Sequence, residues 1–337
     1  MDARQLHASV PVADAHADAL MWNRDLNVRS TEGHVDFPRL SEAGVKLQCF
    51  PIVTRGLPFV GGFELFARWR GYPPEARSGE WARGLFQLDL LERDCRASGG
   101  TAAFTTTRGQ LAGNLAAGRL SAIAGVEGGH VLEGRVDRVE ELFRRGVRFM
   151  GLTHLSNNEL GGSSFRFAPE LDLTPLGREV LDACAEVGMV VDVAHASRSA
   201  LKTLFAHPRA RLFCSHTGCA AATPSWRNLG DADLRALADR GGVIGVMFAP
   251  QFVGARTVEA VAAHMAHAVD VVGEDAVCFG SDFDGFIRLP RGMRDVTGLP
   301  MLTDALLRRG MPTSRVEKLV GRNLVRFFSD TLPAAPL

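Results

Sequence analysis

The chain has 337 residues, 46% of them hydrophobic, and its 38 basic side chains balance its 38 acidic ones. This is the composition of a globular protein with a large core; zero net charge argues against nucleic acid or an anionic membrane as the main partner. No apolar run reaches membrane-spanning length, and Met1–His7 lacks the apolar region of a signal peptide, so a cytoplasmic protein is expected.

Eight short apolar runs bounded by turn residues have strand character. They are Pro11–Ala15, Val45–Ile52, Ser121–Val126, Arg148–Thr153, Met189–Ala194, Arg211–Ser215, Gly242–Phe248 and Ala276–Gly280. Several are apolar on both faces, as buried parallel strands are. Helical patterns separate them. One opens at Thr174-Pro175, with Thr174 as N-cap, and ends at Gly188; others cover Asp231–Arg240 and the amphipathic Val258–Val272. Ser314-x-x-Glu317 reads as a capping box for a last helix running to Phe328, and the tail at 330–337 is expected to fray. The pattern predicts one α/β domain over 1–337, a (β/α)8 TIM barrel. A doubly wound sheet is the runner-up, but no glycine fingerprint follows the first strand. The stretch 54–84, rich in Gly, Pro and aromatics (Phe59, Phe63, Phe66, Trp69, Tyr72, Trp81), reads as an irregular excursion after the second strand. It could serve as a lid, a subunit contact or a packed surface segment. The six cysteines (Cys49, Cys95, Cys184, Cys214, Cys219, Cys278) form no Cys-x-x-Cys pair, and buried thiols in a reducing compartment are expected.

Barrel enzymes place their chemistry at the C-terminal ends of strands. Here the first strand ends in His16 and Asp18, which point to one side because they are two residues apart. Alone, that triplet also reads as a strand exit into solvent. The third strand ends in Glu127, the fourth in His154, the fifth in His195, the sixth in His216, and the eighth in Asp282 with Asp284 two further on. Six of eight strands thus finish in a His or an acid, a coincidence that favours a shared metal site at the barrel mouth. Imidazoles with carboxylates suit zinc, and Mn2+ or Co2+ would also be accepted. The remaining histidines read as structural: His7 and His207 look exposed, His34 lies in a loop, His264 and His267 sit on an outer helix, and His130 follows the Glu127 loop.

Across these stretches the chain resembles the membrane (renal) dipeptidases, metallopeptidase family M19 of the amidohydrolase superfamily. The resemblance rests on Asp14-Ala15-His16-Ala17-Asp18, Gly125-Val126-Glu127-Gly128-Gly129-His130, Leu152-Thr153-His154 and Leu173–Glu179. It continues through Val191–Ser197, Ser215-His216-Thr217, Trp226-Arg227-Asn228-Leu229 and Gly280–Gly285, in family order over nearly the whole chain. It implies two Zn2+ per subunit: His16, Asp18 and Glu127 would hold one, and Glu127, His195 and His216 the other, with Glu127 and a water or hydroxide as bridges. The lysines Lys46, Lys202 and Lys318 end no strand, which agrees with Glu127 rather than a carbamylated Lys as the bridge. Asp282 would be the general base, His154 would stabilise the oxyanion, and Arg227 would pair with the substrate's C-terminal carboxylate.

The implied activity is hydrolysis of dipeptides with a free carboxylate. The alternatives are the same chemistry on another small amide, such as an N-acyl amino acid, and, more remotely, a non-catalytic metal-binding protein. A small-molecule substrate is expected, with no nucleic acid or membrane partner. The family often forms homodimers, a state for which no sequence patch here argues. Three departures from the family pattern stand out. Ala17 replaces a frequent Asn, the loop 155–164 lacks an acid before its serine pair, and Ala249-Pro250 stand where an aromatic is common.

Overall fold

The computed structural model describes residues 2–56 and 62–335. Among the described residues nine strands run in parallel: β1 (Val12–Asp14), β2 (Val45–Val53), β3 (Ala102–Phe104), β4 (Leu120–Glu127), β5 (Val147–Gly151), β6 (Val190–Asp192), β7 (Leu212–Thr217), β8 (Ile244–Val246) and β9 (Val277–Phe279). They pair in the order β2-β1-β9-β8-β7-β6-β5-β4-β3, and β2 also pairs with β4 in unbroken register from Leu47↔Ser121 to Val53↔Glu127. That last pairing closes eight strands into the expected (β/α)8 barrel. The ninth, β3, was not anticipated. It adds to the first part of β4 (Leu120–Ala122), on the edge that β5 takes over from Ala124 onward. Three residues are too few to show a period.

The barrel is filled rather than hollow. Leu47, Cys49, Ile123, Phe149, Phe213 and Cys278 form one buried cluster with Phe327 and Phe328 of the last helix, and the Phe213 and Phe327 rings stack at 5.6 Å. All six cysteines are buried and unpaired. The outer helices begin and end as their caps direct. Thr174 Oγ1 accepts from Gly177 N at 3.1 Å, and Gly188 closes that helix with φ 81°. Among the described residues no helix is long and apolar enough to cross a membrane.

Four expectations are corrected. The described part of the stretch 54–84 is largely helical, with Gly62–Trp69, Glu75–Ser78 and the start of Glu80–Ala97. Gly71, Pro73, Pro74 and Gly79 separate short helices, and Phe63, Ala67 and Ala76 from those helices, with Tyr72 from the connection between them, pack on Met21 and Val53. Phe59 lies outside the described residues. The tail is anchored at least to Pro333: the last helix runs Asn323–Thr331, Leu332 is buried, and Pro333 O accepts from Arg108 N at 3.0 Å. Pro336 and Leu337 lie outside the described residues. His7 is buried, bonded at Nδ1 to Ala43 O (3.1 Å) and at Nε2 to Thr303 Oγ1 (2.7 Å), because it lies on the face of its helix that packs against the helix Leu299–Arg308.

The fourth correction concerns the last helix. Ser314 caps nothing; Pro312 is the N-cap, and the helix Thr313–Glu317 passes through a π turn at Lys318–Arg322. The cause of the close packing there is Gly321, where a Cβ would fall 1.7 Å from the Pro11 carbonyl oxygen. Only glycine lets this turn press against the approach to β1. Asn323 then secures the turn, its Nδ2 donating to Glu274 O and Val277 O at 2.8 Å each. Gly321→Ala is therefore expected to lower the unfolding free energy by about 3 kcal/mol, the upper end of overpacking costs, measured by urea denaturation. An unchanged midpoint would contradict this packing.

Candidate metal centre

Every candidate ligand stands at the C-terminal end of the barrel. Beyond β1 the chain stays extended and zips onto the segment after β9. Ala17 bridges Phe283, Asp18 N donates to Phe283 O at 2.8 Å, and Asp282 N donates to His16 O at 3.2 Å. This sets His16, Asp18 and Asp282 side by side. Glu127 is the last residue of β4, His216 lies near the end of β7, and His154 and His195 follow β5 and β6.

Four imidazoles surround one carboxylate. Glu127 Oε1 lies 2.9 Å from His195 Nε2, 3.4 Å from His216 Nε2 and 3.5 Å from His16 Nε2, while Oε2 lies 3.5 Å from His154 Nε2. His16 Nε2 is also 3.2 Å from Asp18 Oδ1, and the Nε2 atoms of His195 and His216 face each other at 3.1 Å. The side chains form three overlapping groups suited to a cation: His16–Glu127–His216, Glu127–His154–His195 and His16–Asp18–Asp282. The structure thus unites all the residues expected to hold metal and draws Asp282 and His154 to their edge.

The polar atoms at this convergence are not otherwise satisfied. His16 Nε2, Asp18 Oδ1 and Glu127 Oε2 are buried without a hydrogen-bond partner. Buried polar atoms normally have one. Lone pairs converging from neutral imidazoles and carboxylates are what a divalent ion satisfies, so these residues fit a metal centre. The electrostatics agree. Burial holds the His195 and His216 pKa values well below the ordinary range, which leaves both rings neutral. For His16, burial acts downward but the Glu127, Asp18 and Asp282 carboxylates outweigh it and lift the pKa to about 10, the mark of a site crowded with negative charge. Burial, then the Asp18 carboxylate, holds the Asp282 carboxyl well above its usual range.

Two site residues occupy the left-handed region, His195 (φ 64°) and Asp282 (φ 64°), as do Asp284 (φ 66°) and Phe286 (φ 58°). Such conformations cost about 1–3 kcal/mol each and persist only where surroundings impose them. His195 is held by its carbonyl, which accepts from Ser164 N (2.8 Å) and Thr153 Oγ1 (3.1 Å). The Asp282 loop is held through Asp284. Its Oδ1 accepts from His34 N (2.7 Å), its N–H donates to His34 Nδ1 (2.9 Å), its carbonyl accepts from Trp22 Nε1 (2.8 Å), and Arg24 pairs with its carboxylate. Sequence reading missed Arg24, Trp22 and this role of His34. It also passed over Asp14 and Asp192, although an acid within an apolar strand is a readable signal. Asp14 accepts from Ser281 N (2.8 Å), Ser281 Oγ (2.7 Å) and Gln48 Nε2 (2.8 Å), tying β1, β2 and β9 together beneath the site.

His154 and Arg227 stand at the rim. His154 Nδ1 contacts Arg55 O at 3.1 Å. A carbonyl only accepts, so Nδ1 carries a proton and Nε2 can donate only when the ring is an imidazolium. Arg227 is buried, donates to His216 O at 2.8 Å and, among the described residues, pairs with no carboxylate. Of the other histidines, His264 accepts from Cys219 N at 2.9 Å and so braces the loop leading to Arg227, and His267 pairs with Asp231. His130 is buried beside the Glu127 loop but belongs to none of the cation groups.

This arrangement agrees with what the chain resembles. The family model for membrane dipeptidase, peptidase family M19, matches residues 1–335. The chain belongs to the membrane dipeptidase family. Among curated relatives it is 28% identical over 348 residues to dipeptidase verJ of Clonostachys rogersoniana, covering 96% of this chain and 85% of that one. Among solved structures it superposes with TM-score 0.84 and 28% identity on a metallo peptidase of Rhodobacter sphaeroides liganded with a phosphinate mimic of L-Ala-D-Ala, covering 96% and 99% of the two chains. A second family member, dipeptidase AC, gives TM-score 0.84 at 28% identity over 97% and 99%. This family member is a metallo-dipeptidase with a His- and Glu-rich candidate metal group.

A Cβ at Gly285 would meet Asp282 Oδ1 at 2.1 Å and Asp18 Oδ2 at 2.8 Å. Gly285→Ala must therefore displace a site carboxylate. A displacement of about 1 Å can cost ~100-fold in rate, so kcat for dipeptide hydrolysis is expected to drop by about that factor with an unchanged far-UV circular dichroism spectrum. Wild-type kcat would show that Asp282 tolerates the shift.

Proposed function

We propose that this metallo-dipeptidase is a dizinc enzyme cleaving dipeptides with a free C-terminal carboxylate, D-residues at the second position included. The observation that carries the reading is the convergence of His16, His195 and His216 Nε2 atoms within 3.5 Å of one oxygen of Glu127. His16, Asp18 and Glu127 would hold one ion, and Glu127, His195 and His216 the other. When bound, such ions polarise a carbonyl and lower the pKa of water.

The remaining chemistry falls to the chain. Asp282, held by burial and Asp18 in a strongly proton-accepting state, takes the proton from the attacking water and delivers it to the leaving amine nitrogen. His154 donates from Nε2, as imidazolium, to the oxygen that gains negative charge. Arg227, which donates to His216 O and among the described residues pairs with no carboxylate, offers its guanidinium fork to the substrate carboxylate. The Rhodobacter relative, liganded with a phosphinate mimic of L-Ala-D-Ala, supports a dipeptide substrate with a D-residue at the second position.

A panel of free dipeptides, including L-Ala-D-Ala, is expected to be hydrolysed by the zinc-loaded enzyme. The same dipeptides with amidated C-termini are expected to turn over poorly. Failure on every free dipeptide would favour the same machinery acting on another small amide, and equal turnover of amidated ones would remove Arg227 as the carboxylate partner. In the same assay Arg227→Ala should raise KM for free dipeptides at least ~10-fold, as expected for a lost charge-assisted contact of about 1.5–3 kcal/mol.

Asp282 also lies in a cation group with His16 and Asp18, which makes it a candidate ligand as well as a base. Elemental analysis separates the two. Asp282→Asn should keep its metal and lose kcat by ~100-fold or more, in the range of general-base contributions; loss of an ion would instead mark Asp282 as a ligand.

A further inference from the structure

Beneath the metal centre one hydroxyl touches two of its imidazoles. Ser215 Oγ lies 3.0 Å from His16 Nδ1 and 2.8 Å from His216 Nδ1, and it is 2.5 Å from Asp192 Oδ2. All four residues are buried. Asp192 is itself fixed. Its Oδ1 accepts from Ser215 N at 2.9 Å and from Ala194 N at 3.0 Å, and its strand pairs in register with β7 through Asp192↔Phe213.

The proton count at Ser215 leaves one solution. A carboxylate only accepts, and a hydroxyl has one proton to donate. The 2.5 Å contact has the length of a charge-assisted O–H···O bond, so the Ser215 proton points at Asp192. The two lone pairs of Oγ then accept, one from each ring. Both Nδ1 atoms must therefore donate to Oγ, which leaves Nε2, directed at Glu127, as the atom each ring would offer a bound ion. His195 has no such support, since its Nδ1 is buried without a partner.

We propose that Ser215, locked by Asp192, is the shared positioning residue of the metal centre, fixing the tautomer and ring orientation of His16 and His216 together. This rests on the ligand assignment proposed above, in which those two rings belong to different ions. Outer-shell partners of ligating histidines are each worth ~10–100-fold in metal affinity. One serine serving two rings therefore makes a single substitution felt at both ions, which a serine serving only the packing of β7 would not do.

The test uses the zinc-loaded enzyme and zinc alone as the probe. Long-range 1H–15N spectra should show the proton on Nδ1 of both His16 and His216; a proton on Nε2 of either ring would overturn the proposal. In chelator-competition titrations, Ser215→Ala should weaken both zinc equivalents by about 10–100-fold. Ser215→Thr, which keeps the hydroxyl, should recover most of that loss. Asp192→Asn offers an amide N–H that would turn the hydroxyl proton toward a ring, and it should weaken at least one equivalent. Weakening of only one equivalent by Ser215→Ala, or of neither, would overturn the shared role while leaving the ligand assignment intact. If His16→Ala and His216→Ala both leave two tightly bound zinc equivalents, the ligand assignment itself fails and the proposal falls with it.

Discussion

Everything at the mouth of this barrel is arranged around the carboxylate of Glu127, and the strand that carries it is the one that closes the fold. The register of β2 on β4 ends at Val53↔Glu127, so barrel closure and placement of the central carboxylate are one event. Four imidazoles then approach a single carboxylate from four other strands. No set of shared protons satisfies so many buried polar atoms, which is the physical reason the centre calls for cations.

A second layer makes that convergence possible. Between the apolar plug at the N-terminal end of the barrel and the site lies a belt of buried polar groups: Asp14, Gln48, Asp192, Ser215 and Ser281. Each is hydrogen-bonded, and bonds such as Gln48 to Asp14, Ser215 to Asp192 and Ser281 to Asp14 run from one strand segment to the next. Buried polar networks that join strands in this way rigidify a core. Above the belt the structure stores strain instead, at His195, held by Ser164 and Thr153, and in the Asp282–Phe286 loop, clamped by Arg24, His34 and Trp22.

Legibility in the sequence followed the physics of each feature. The eight barrel strands were readable because strands buried on both faces are continuous apolar runs. The candidate site residues were readable because a polar side chain directly after such a run breaks the pattern. The helices within 54–84 were not, since Gly71, Pro73, Pro74 and Gly79 suggest irregular chain, while in fact they separate short helices around the buried Tyr72. The Ser314 capping pattern failed for a different reason. Pro312 takes the N-cap two residues earlier, and the close approach of Gly321 to Pro11 accompanies a π turn that no local propensity announces.

The amino-acid sequence by itself determined the strand count of the barrel, the identity of the metal-type side chains and their common position at strand ends, because these depend on residues near one another in the chain. Only the tertiary structure decided which atoms meet. That His16 and His216, 200 residues apart, rest on one serine hydroxyl is a consequence of strand order and register. So is the left-handed turn that aims Asp282, whose clamp reaches back to Arg24 and His34. Distances of three ångströms between residues this remote are set by how the ring of strands closes, and local sequence carries no record of that closure.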